Sequence, residues 1–301
     1  MKINRRTMIA GAAGAGVAAI PGALAAAAKP APARGRKRTY VLVHGGGHGG
    51  WCWERVATPL RAAGHRVYTP TLTGNGERSH LLNANIDLDC HITDVVNTIK
   101  WENLSDIILV GHSYGGMVIT GIADRALDKI GHMVYLDAVH PKNGTGLWGP
   151  SSAIGAAGPP ASAGGSPAGG APARGGAAAM MGAKTVNGIE LVLFPDLKLI
   201  NGALGVTKPE DVAWLMDKCT PQTLLSMTAP LHMQNEEAVH KLPTTDIWRK
   251  SILAAQQAAK AKTGKAFSWA QRLWSIDSPS HDLMVTDPKP LTEMLLKIAM
   301  L

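Results

Sequence analysis

Hydrophobic positions along the first half of the chain alternate between strand-like and helix-like spacing. Short apolar runs predict buried strands at 38–45, 65–72, 105–113 and 131–139. Helical spacing fills the stretches between them, at 52–64, 89–101 and 114–127. The alternation resumes after Pro243, with strands predicted at 244–251 and 268–276 and helices at 252–264 and 290–300. Strands that alternate with helices predict an α/β fold with a mostly parallel sheet and helices on both faces.

This alternation is interrupted between residues 141 and 242. Residues 149–182 consist mainly of Gly, Ala, Pro and Ser, and such a composition cannot bury enough apolar surface to offset the entropy of ordering. We therefore predict that this segment is flexible. Helical spacing follows at 208–218 and 221–232. The pattern predicts a core built from 38–140 and 243–301, with a helical lid insertion at 141–242.

The charge of the chain is concentrated at its beginning. The first 38 residues contain eight basic residues and no acidic one, and 22 basic and 22 acidic residues remain elsewhere. The net charge of +8 therefore belongs to this end, and no nucleic-acid partner is expected. Three scattered cysteines, at positions 52, 90 and 219, predict buried free thiols instead of a disulfide framework.

Residues 1–28 have the composition of an export signal. Basic residues precede an apolar stretch from Met8 to Ile20, and small residues suited to cleavage follow. The Arg5-Arg6 pair before a weakly apolar segment is typical of twin-arginine signals, with an ordinary secretory signal or an uncleaved anchor as the alternative. We predict a basic linker at 29–37 and a periplasmic or secreted mature protein. No stable membrane span is expected after signal removal.

The sequence GHSYG at 111–115 matches the G-x-S-x-G pattern of a nucleophile elbow. A β-branched strand run precedes it and a helical pattern follows it, which is the context that this motif requires. Small residues two positions from the serine allow a very sharp turn, and the following helix N-terminus directs backbone N–H groups at the reacting centre. Ser113 is therefore the predicted nucleophile.

A glycine-rich loop follows the first predicted strand, in the sequence VLVHGGGHGGWCW. His44 and His48 are four residues apart, but so many glycines cannot hold the helix that would bring both onto a metal, and no metal site is predicted. A phosphate-binding loop would end in Gly-Lys-Ser or Gly-Lys-Thr, which this loop lacks. Acyl transfer instead builds negative charge on a carbonyl oxygen, which backbone N–H groups can stabilise. We predict that the amides of Gly46 and Tyr114 form this oxyanion hole.

These motifs resemble the α/β-hydrolase superfamily. YVLVHGGGHGGWCWERV, GHRVYTPTLTGNGERSHL and ILVGHSYGGMV are similar to the branch that contains plant methyl esterases, hydroxynitrile lyases and bacterial esterases. The similarity is close over 39–140 and looser over 243–300. It implies an α/β-hydrolase fold and a serine–histidine–acid triad without an organic cofactor. His281 lies after the last predicted strand, where such a fold carries its histidine.

The acid of the triad departs from the pattern of this branch. The family places it a few residues past a tryptophan such as Trp248, but the sequence there is WRKSILAA, with Ile252 near the expected place. Other α/β-hydrolases carry the acid after the strand that follows the nucleophile strand, where Asp137 stands. We favour Asp137, with Asp246 inside the later strand as the alternative.

Together these features predict a serine hydrolase that cleaves carboxylic esters of small apolar substrates through an acyl-enzyme. Gly47 and Trp248 are candidate substrate-binding residues, and Gly47 is also a weaker candidate for an oxyanion donor. The alternatives are a non-catalytic ligand receptor on the same fold, or a hydrolase of amide, lactone or carbamate bonds. Hydroxynitrile lyases have a lysine directly after the histidine. Asp282 stands there instead, so cyanohydrin cleavage is not expected.

Overall fold

The structure is a computed structural model that describes residues 37–148 and 183–301. The predicted export signal at 1–28, all of the basic linker except Lys37, and the predicted flexible segment at 149–182 lie outside the described residues. Within the two described ranges, no helix combines the length and the apolarity that crossing a membrane requires.

The strands of the described residues form two separate sheets. Their bounds are β1 (Thr39–Val43), β2 (Arg66–Tyr68), β3 (Ile107–His112), β4 (Ile130–Leu136), β5 (Lys184–Val186), β6 (Ile189–Val192), β7 (Gln222–Thr223), β8 (Thr244–Arg249) and β9 (Arg272–Ile276). Six strands are parallel, in the order β2-β1-β3-β4-β8-β9. The remaining three form a small antiparallel sheet, in the order β5-β6-β7.

Helices cover both faces of the parallel sheet. Those within the described residues are α1 (Glu54–Ala62), α2 (Leu88–Trp101), α3 (Gly115–Arg125), α4 (Leu197–Asn201), α5 (Pro209–Lys218), α6 (Leu224–Thr228), α7 (Glu236–Lys241), α8 (Lys250–Thr263), α9 (Leu283–Thr286) and α10 (Pro288–Ile298). Short 3₁₀ turns occur at Gly50–Trp53, Gly76–Leu81 and Leu127–Lys129.

The strand sequences explain why the sheet is covered on two sides. Successive side chains of a strand point to opposite faces, and alternate residues of β1 and β3 enter two different apolar clusters. Val41 and Leu109 pack with α2 and α3, whereas Leu42 and Val110 pack with α1 and α10. The predicted parallel sheet with helices on both faces is therefore confirmed.

The insertion differs from the helical lid that the sequence predicts. Its described part contains α4 to α7, but it also contains the small antiparallel sheet. The helix predicted at 221–232 is instead the two-residue strand β7 followed by the short helix α6. The predicted strand at 65–72 is also shorter, because only Arg66–Tyr68 pairs with β1. Strands of two to four residues are too short to show a periodic pattern in the sequence.

The parallel sheet brings five chain segments to one edge. Parallel strands end on the same side, and polar groups that follow their carboxyl ends therefore lie close together. Ser113 follows β3, Asp137 follows β4 and Arg249 ends β8. The glycine-rich loop follows β1 and the loop that carries His281 follows β9.

Candidate active site

Ser113 lies on a strained turn between β3 and α3. Its φ is +53°, a left-handed conformation that is costly for a residue with a side chain. A Cβ atom on Gly111 would lie 2.5 Å from the Gly115 carbonyl oxygen, and one on Gly115 would lie 2.8 Å from the Val43 carbonyl oxygen. The turn therefore requires glycine at both positions, as the motif predicts. The Ser113 amide donates a hydrogen bond to the Leu136 carbonyl (3.2 Å), which links the turn to the end of β4.

His281 and Asp137 form a short hydrogen bond beside this turn. His281 Nδ1 donates to Asp137 Oδ2 at 2.6 Å, and the Asp137 side chain is only 2% exposed. Asp137 itself has a φ of +41°, and its amide donates to the Ile247 carbonyl (2.8 Å). The structure thus brings together the histidine and the favoured carboxylate. The Ser113 hydroxyl forms no hydrogen bond with a described residue. A hydrogen bond between a catalytic serine and its histidine commonly tightens only when substrate is bound.

Arg249 also binds the Asp137 carboxylate. Its Nε donates to Oδ2 at 2.6 Å, and its backbone amide lies 3.4 Å from Oδ1. Burial alone would raise the pKa of Asp137. The hydrogen bond and charge of His281, with the charge of Arg249, outweigh burial and lower that pKa below its ordinary value. The carboxylate is therefore ionised at neutral pH and can orient the imidazole.

The loop that carries His281 is anchored on its backbone. The His281 amide donates to the Leu204 carbonyl (2.7 Å), and its carbonyl accepts a hydrogen bond from His112 Nε2 (3.1 Å). Burial and the neighbouring His281 lower the pKa of His112 to about 3, so that its ring is neutral. His112 therefore supports the loop of the candidate catalytic histidine.

The glycine-rich loop passes over the Ser113 turn. A Cβ atom on Gly45 would lie 3.1 Å from the Ser113 Cβ, so this loop needs glycine at the closest approach. Among the described residues, no protein group accepts a hydrogen bond from the Gly46 or Tyr114 amide. Both donors are thus available for a substrate oxygen. The Gly47 amide is not, because it donates to Gln222 Oε1 at 2.9 Å.

A buried charged group lies directly behind the site. Asp282 is fully buried, with its Oδ2 3.4 Å from His48 Nε2 and its Oδ1 3.7 Å from His112 Nε2. Burial disfavours the charge on both Asp282 and His48, but the attraction between them is larger. This attraction lowers the pKa of Asp282 and raises the pKa of His48. His48 Nδ1 donates to the Gly46 carbonyl (2.8 Å), which connects this pair to the glycine-rich loop.

The alternative acid, Asp246, forms a separate pair with another histidine, His140. Its Oδ1 accepts from His140 Nε2 at 2.8 Å and its Oδ2 accepts from Trp248 Nε1 at 3.1 Å. The His140 ring stacks on Tyr135, with centroids 3.8 Å apart. Trp248 therefore contacts Asp246 and Phe267, and its role in substrate binding stays a prediction.

The sequence missed four residues that shape the site. Arg249 holds Asp137, Gln222 holds Gly47, and the side chains of Met227 and Phe194 lie against the glycine-rich loop. A Cβ atom built on Gly46 would lie 2.6 Å from Met227 Cε, and one built on Gly47 would lie 2.4 Å from the Phe194 ring. Of these four, only Arg249 has a signal in the sequence, because it lies near the place where the family carries the triad acid and this chain has no carboxylate.

Comparison with known sequences identifies the family. The alpha/beta hydrolase family matches residues 40–293, most of the chain, and the chain belongs to this family. This membership confirms the resemblance on which the predicted fold rests.

Individual relatives match a shorter part of the chain. The carbendazim hydrolyzing esterase of Nocardioides sp. (strain SG-4G) is 59% identical over 108 residues, which are 36% of this chain and 45% of that protein. Methylesterase 2 of Arabidopsis thaliana is 35% identical over 117 residues, which are 35% of this chain and 41% of that protein. The matches thus span less than half the length of these curated relatives.

A solved structure extends the likeness to the whole fold. An extracellular alpha/beta-hydrolase from a Paenibacillus species superposes with a TM-score of 0.62, at 19% identity, over 86% of this chain and 98% of that chain. That hydrolase is described as sharing structural and functional homology with tobacco salicylic acid binding protein 2. At this identity the likeness concerns the fold alone.

Proposed function

We propose that the protein is a serine hydrolase that cleaves carboxylic esters of small apolar substrates through an acyl-enzyme. One arrangement carries this proposal: a strained Ser113 beside the 2.6 Å Asp137–His281 hydrogen bond, under a loop with unpaired amides. A nucleophile, a base, an orienting acid and oxyanion donors are the groups that acyl transfer needs.

The proposed reaction uses each group in turn. The Ser113 oxygen attacks the ester carbonyl while His281 accepts the hydroxyl proton through Nε2. Asp137 accepts from Nδ1 of His281, so the ring has the tautomer that exposes Nε2 as a base. The carbonyl oxygen becomes an oxyanion and receives hydrogen bonds from the Gly46 and Tyr114 amides. His281 then protonates the departing alcohol, and water releases the acid by the same steps in reverse.

The proposed substrates are small because apolar side chains of the insertion lie against the oxyanion loop. Met227 and Phe194 contact Gly46 and Gly47. The names of the Arabidopsis relative and of a methyl jasmonate esterase from Vitis vinifera support methyl esters as the first compounds to test. The complete set of catalytic groups argues against a non-catalytic receptor. Amides, lactones and carbamates belong in the same panel as competing substrates.

The test compares wild-type protein with Ser113→Ala on esters that vary in acyl and alcohol part. We expect ester turnover in the wild type and a loss of at least about a hundredfold in Ser113→Ala, since the nucleophile is absent. Melting curves serve as the control, because removing one hydroxyl from a partly exposed turn should leave the fold intact. Equal turnover by folded Ser113→Ala would reject the proposal, and a wild type that cleaves only amides would redirect it.

We also propose export through the twin-arginine route. Arg5-Arg6 before the apolar stretch at 8–20 supports this. The test fuses residues 1–37 to a reporter that can be followed across a bacterial inner membrane. Replacing Arg5 and Arg6 with lysines should retain the reporter in the cytoplasm. Unchanged export would indicate an ordinary secretory signal instead.

A further inference from the structure

Two residues of the insertion hold the glycine-rich loop at Gly47. The Gly47 amide donates to Gln222 Oε1 at 2.9 Å, and the Gly47 carbonyl accepts from the Thr220 amide at 2.8 Å. Gln222 is 175 residues away along the chain. These bonds therefore join the insertion directly to the loop that carries the proposed oxyanion donor.

The peptide group between Gly46 and Gly47, which Gln222 holds through its N–H, is held through its C=O by the core. The Gly46 carbonyl accepts from His48 Nδ1 at 2.8 Å, and His48 in turn lies in an ion pair 3.4 Å from Asp282 Oδ2 and stacks on Trp51. A peptide group is planar, so fixing its C=O at Gly46 and its N–H at Gly47 fixes the plane. The free Gly46 amide belongs to the preceding peptide group, whose Gly45 carbonyl is bonded to His44 Nδ1 at 2.8 Å. The two peptide planes meet at the Gly46 Cα, so the direction of the Gly46 N–H depends on the His44 bond and on the two bonds that fix the Gly46–Gly47 plane.

Gln222 is itself rigidly placed by the small antiparallel sheet. It is 1% exposed, it pairs with Val192 of β6, and its Nε2 donates to Ser226 Oγ at 2.9 Å. Phe194 follows the same strand β6 and lies against Gly47, where φ is +70°. The sheet thus delivers both the hydrogen-bond acceptor and the apolar cover to one residue of the loop.

We propose that Gln222 is a positioning residue that aims the Gly46 amide at the developing oxyanion. This inference rests on the proposed function, and it makes the insertion part of the oxyanion hole as well as a cover over the substrate. The Gly46 amide would stabilise charge that develops only in the transition state. Loss of the Gln222–Gly47 hydrogen bond should therefore lower kcat and leave KM nearly unchanged.

The test uses Gln222→Met in the full chain, since methionine keeps the length of the side chain and lacks the oxygen acceptor. Active sites are counted from the endpoint of labelling with a fluorophosphonate. We expect kcat per site on 4-nitrophenyl acetate to fall roughly ten- to a hundredfold, less than the loss of an oxyanion donor itself. KM should stay within about threefold.

A pair of ketones supplies a second measurement. Ser113 adds to the carbonyl of a trifluoromethyl ketone, its proton passes to His281, and the product carries an oxyanion; the matching methyl ketone binds without this addition. Gln222→Met should weaken the first inhibitor by the same factor as kcat/KM and leave the second unchanged. The control is Val239→Ala, a buried residue of α7, which packs against α3. It should lower the melting temperature without changing kcat per site.

Three results would overturn the proposal. They are a kcat within twofold of wild type, an equal weakening of both ketones, and an equal loss of kcat per site in Val239→Ala. If Gln222→Met does not fold, Gln222→Asn replaces it, because its shorter side chain withdraws the acceptor from Gly47; the same expectations apply. A wild type that neither cleaves the ester nor prefers the trifluoromethyl ketone would reject the proposed function, and this role of Gln222 with it.

Discussion

The carboxylates of two aspartate–histidine pairs come from neighbouring strands, since Asp137 follows β4 and Asp246 lies in β8. Asp137 and His281 form the first pair, which lies beside the Ser113 turn, and Asp246 and His140 form the second. The Asp137–His281 bond is 2.6 Å long and the Asp246–His140 bond is 2.8 Å long. Both aspartate side chains are buried, 2% and 0% exposed. Bond length and burial therefore do not distinguish a candidate triad from a structural pair.

The surroundings of the two histidines do distinguish them. His281 is 17% exposed and lies at the sheet edge that carries the Ser113 turn. His140 is 3% exposed and lies between aromatic rings, and its Nδ1 is buried with no hydrogen-bond partner among the described residues. In the proposed function, access and a neighbouring nucleophile, more than the carboxylate bond, therefore set His281 apart as the base.

The largest expected effect comes from breaking the first pair. Asp137→Asn should lower kcat by roughly 10² to 10⁴, because the amide favours the tautomer of His281 that cannot accept the Ser113 proton; the corresponding change in a serine protease lowers kcat by about 10⁴. The assay uses one ester near pH 8, with melting curves to show that the fold is kept. A kcat near that of wild type would mean that another group orients His281.

A smaller effect should follow from removing Arg249, the cation that binds the carboxylate of the Asp137–His281 pair. Arg249→Gln takes away a charge-assisted hydrogen bond to Asp137, and we expect kcat/KM to fall roughly 3- to 30-fold. Arg249→Lys is the matched control, since it keeps the charge, and should lose less. If both variants are fully active, the ion pair has a structural role alone.

The second pair should matter for stability more than for turnover. Asp246→Asn disturbs the buried bonds to His140 and Trp248, and we expect a loss of about 1–3 kcal/mol in the free energy of unfolding. Any change in kcat per labelled site should be less than about tenfold, because no step of the proposed reaction uses this carboxylate. Denaturant unfolding and ester assays on the same preparation measure both quantities.

The smallest effect concerns how the free energy of unfolding that Asp137 contributes changes with pH. The folded pKa of Asp137 lies below its unfolded value, so its stabilising contribution is present above about pH 4 and is lost as pH falls through the folded pKa. The gap in melting temperature between wild type and Asp137→Asn should narrow as pH falls below about pH 4. A gap that stays the same or widens below about pH 4 would mean that Asp137 is not held as a carboxylate.

The sequence predicted those features that depend on local spacing. Gly111, Ser113 and Gly115 lie within one turn, and the steric need for small residues is visible in the motif. Asp137 was favoured through the resemblance, because other α/β-hydrolases carry the acid after the strand that follows the nucleophile strand. His281 was likewise predicted because that fold carries its histidine after the last strand.

Other parts of the site depend on contacts that local spacing does not encode. Arg249 reaches Asp137 across 112 residues, and Gln222 reaches Gly47 across 175. The second pair, His140 and Asp246, joins residues 106 apart, and nothing in either local sequence indicates the partner. The small sheet that places Gln222 is built from strands too short for a hydrophobic period.

The rate at which a fluorophosphonate modifies Ser113 tests the central claim most directly. Wild type, Asp137→Asn and Asp246→Asn are labelled under one condition, and the modified residue is located by peptide mass spectrometry. We expect modification at Ser113 in all three proteins, with a rate lowered at least about a hundredfold in Asp137→Asn and nearly unchanged in Asp246→Asn. Modification at another residue, or slowing in Asp246→Asn with normal labelling of Asp137→Asn, would contradict the proposed triad.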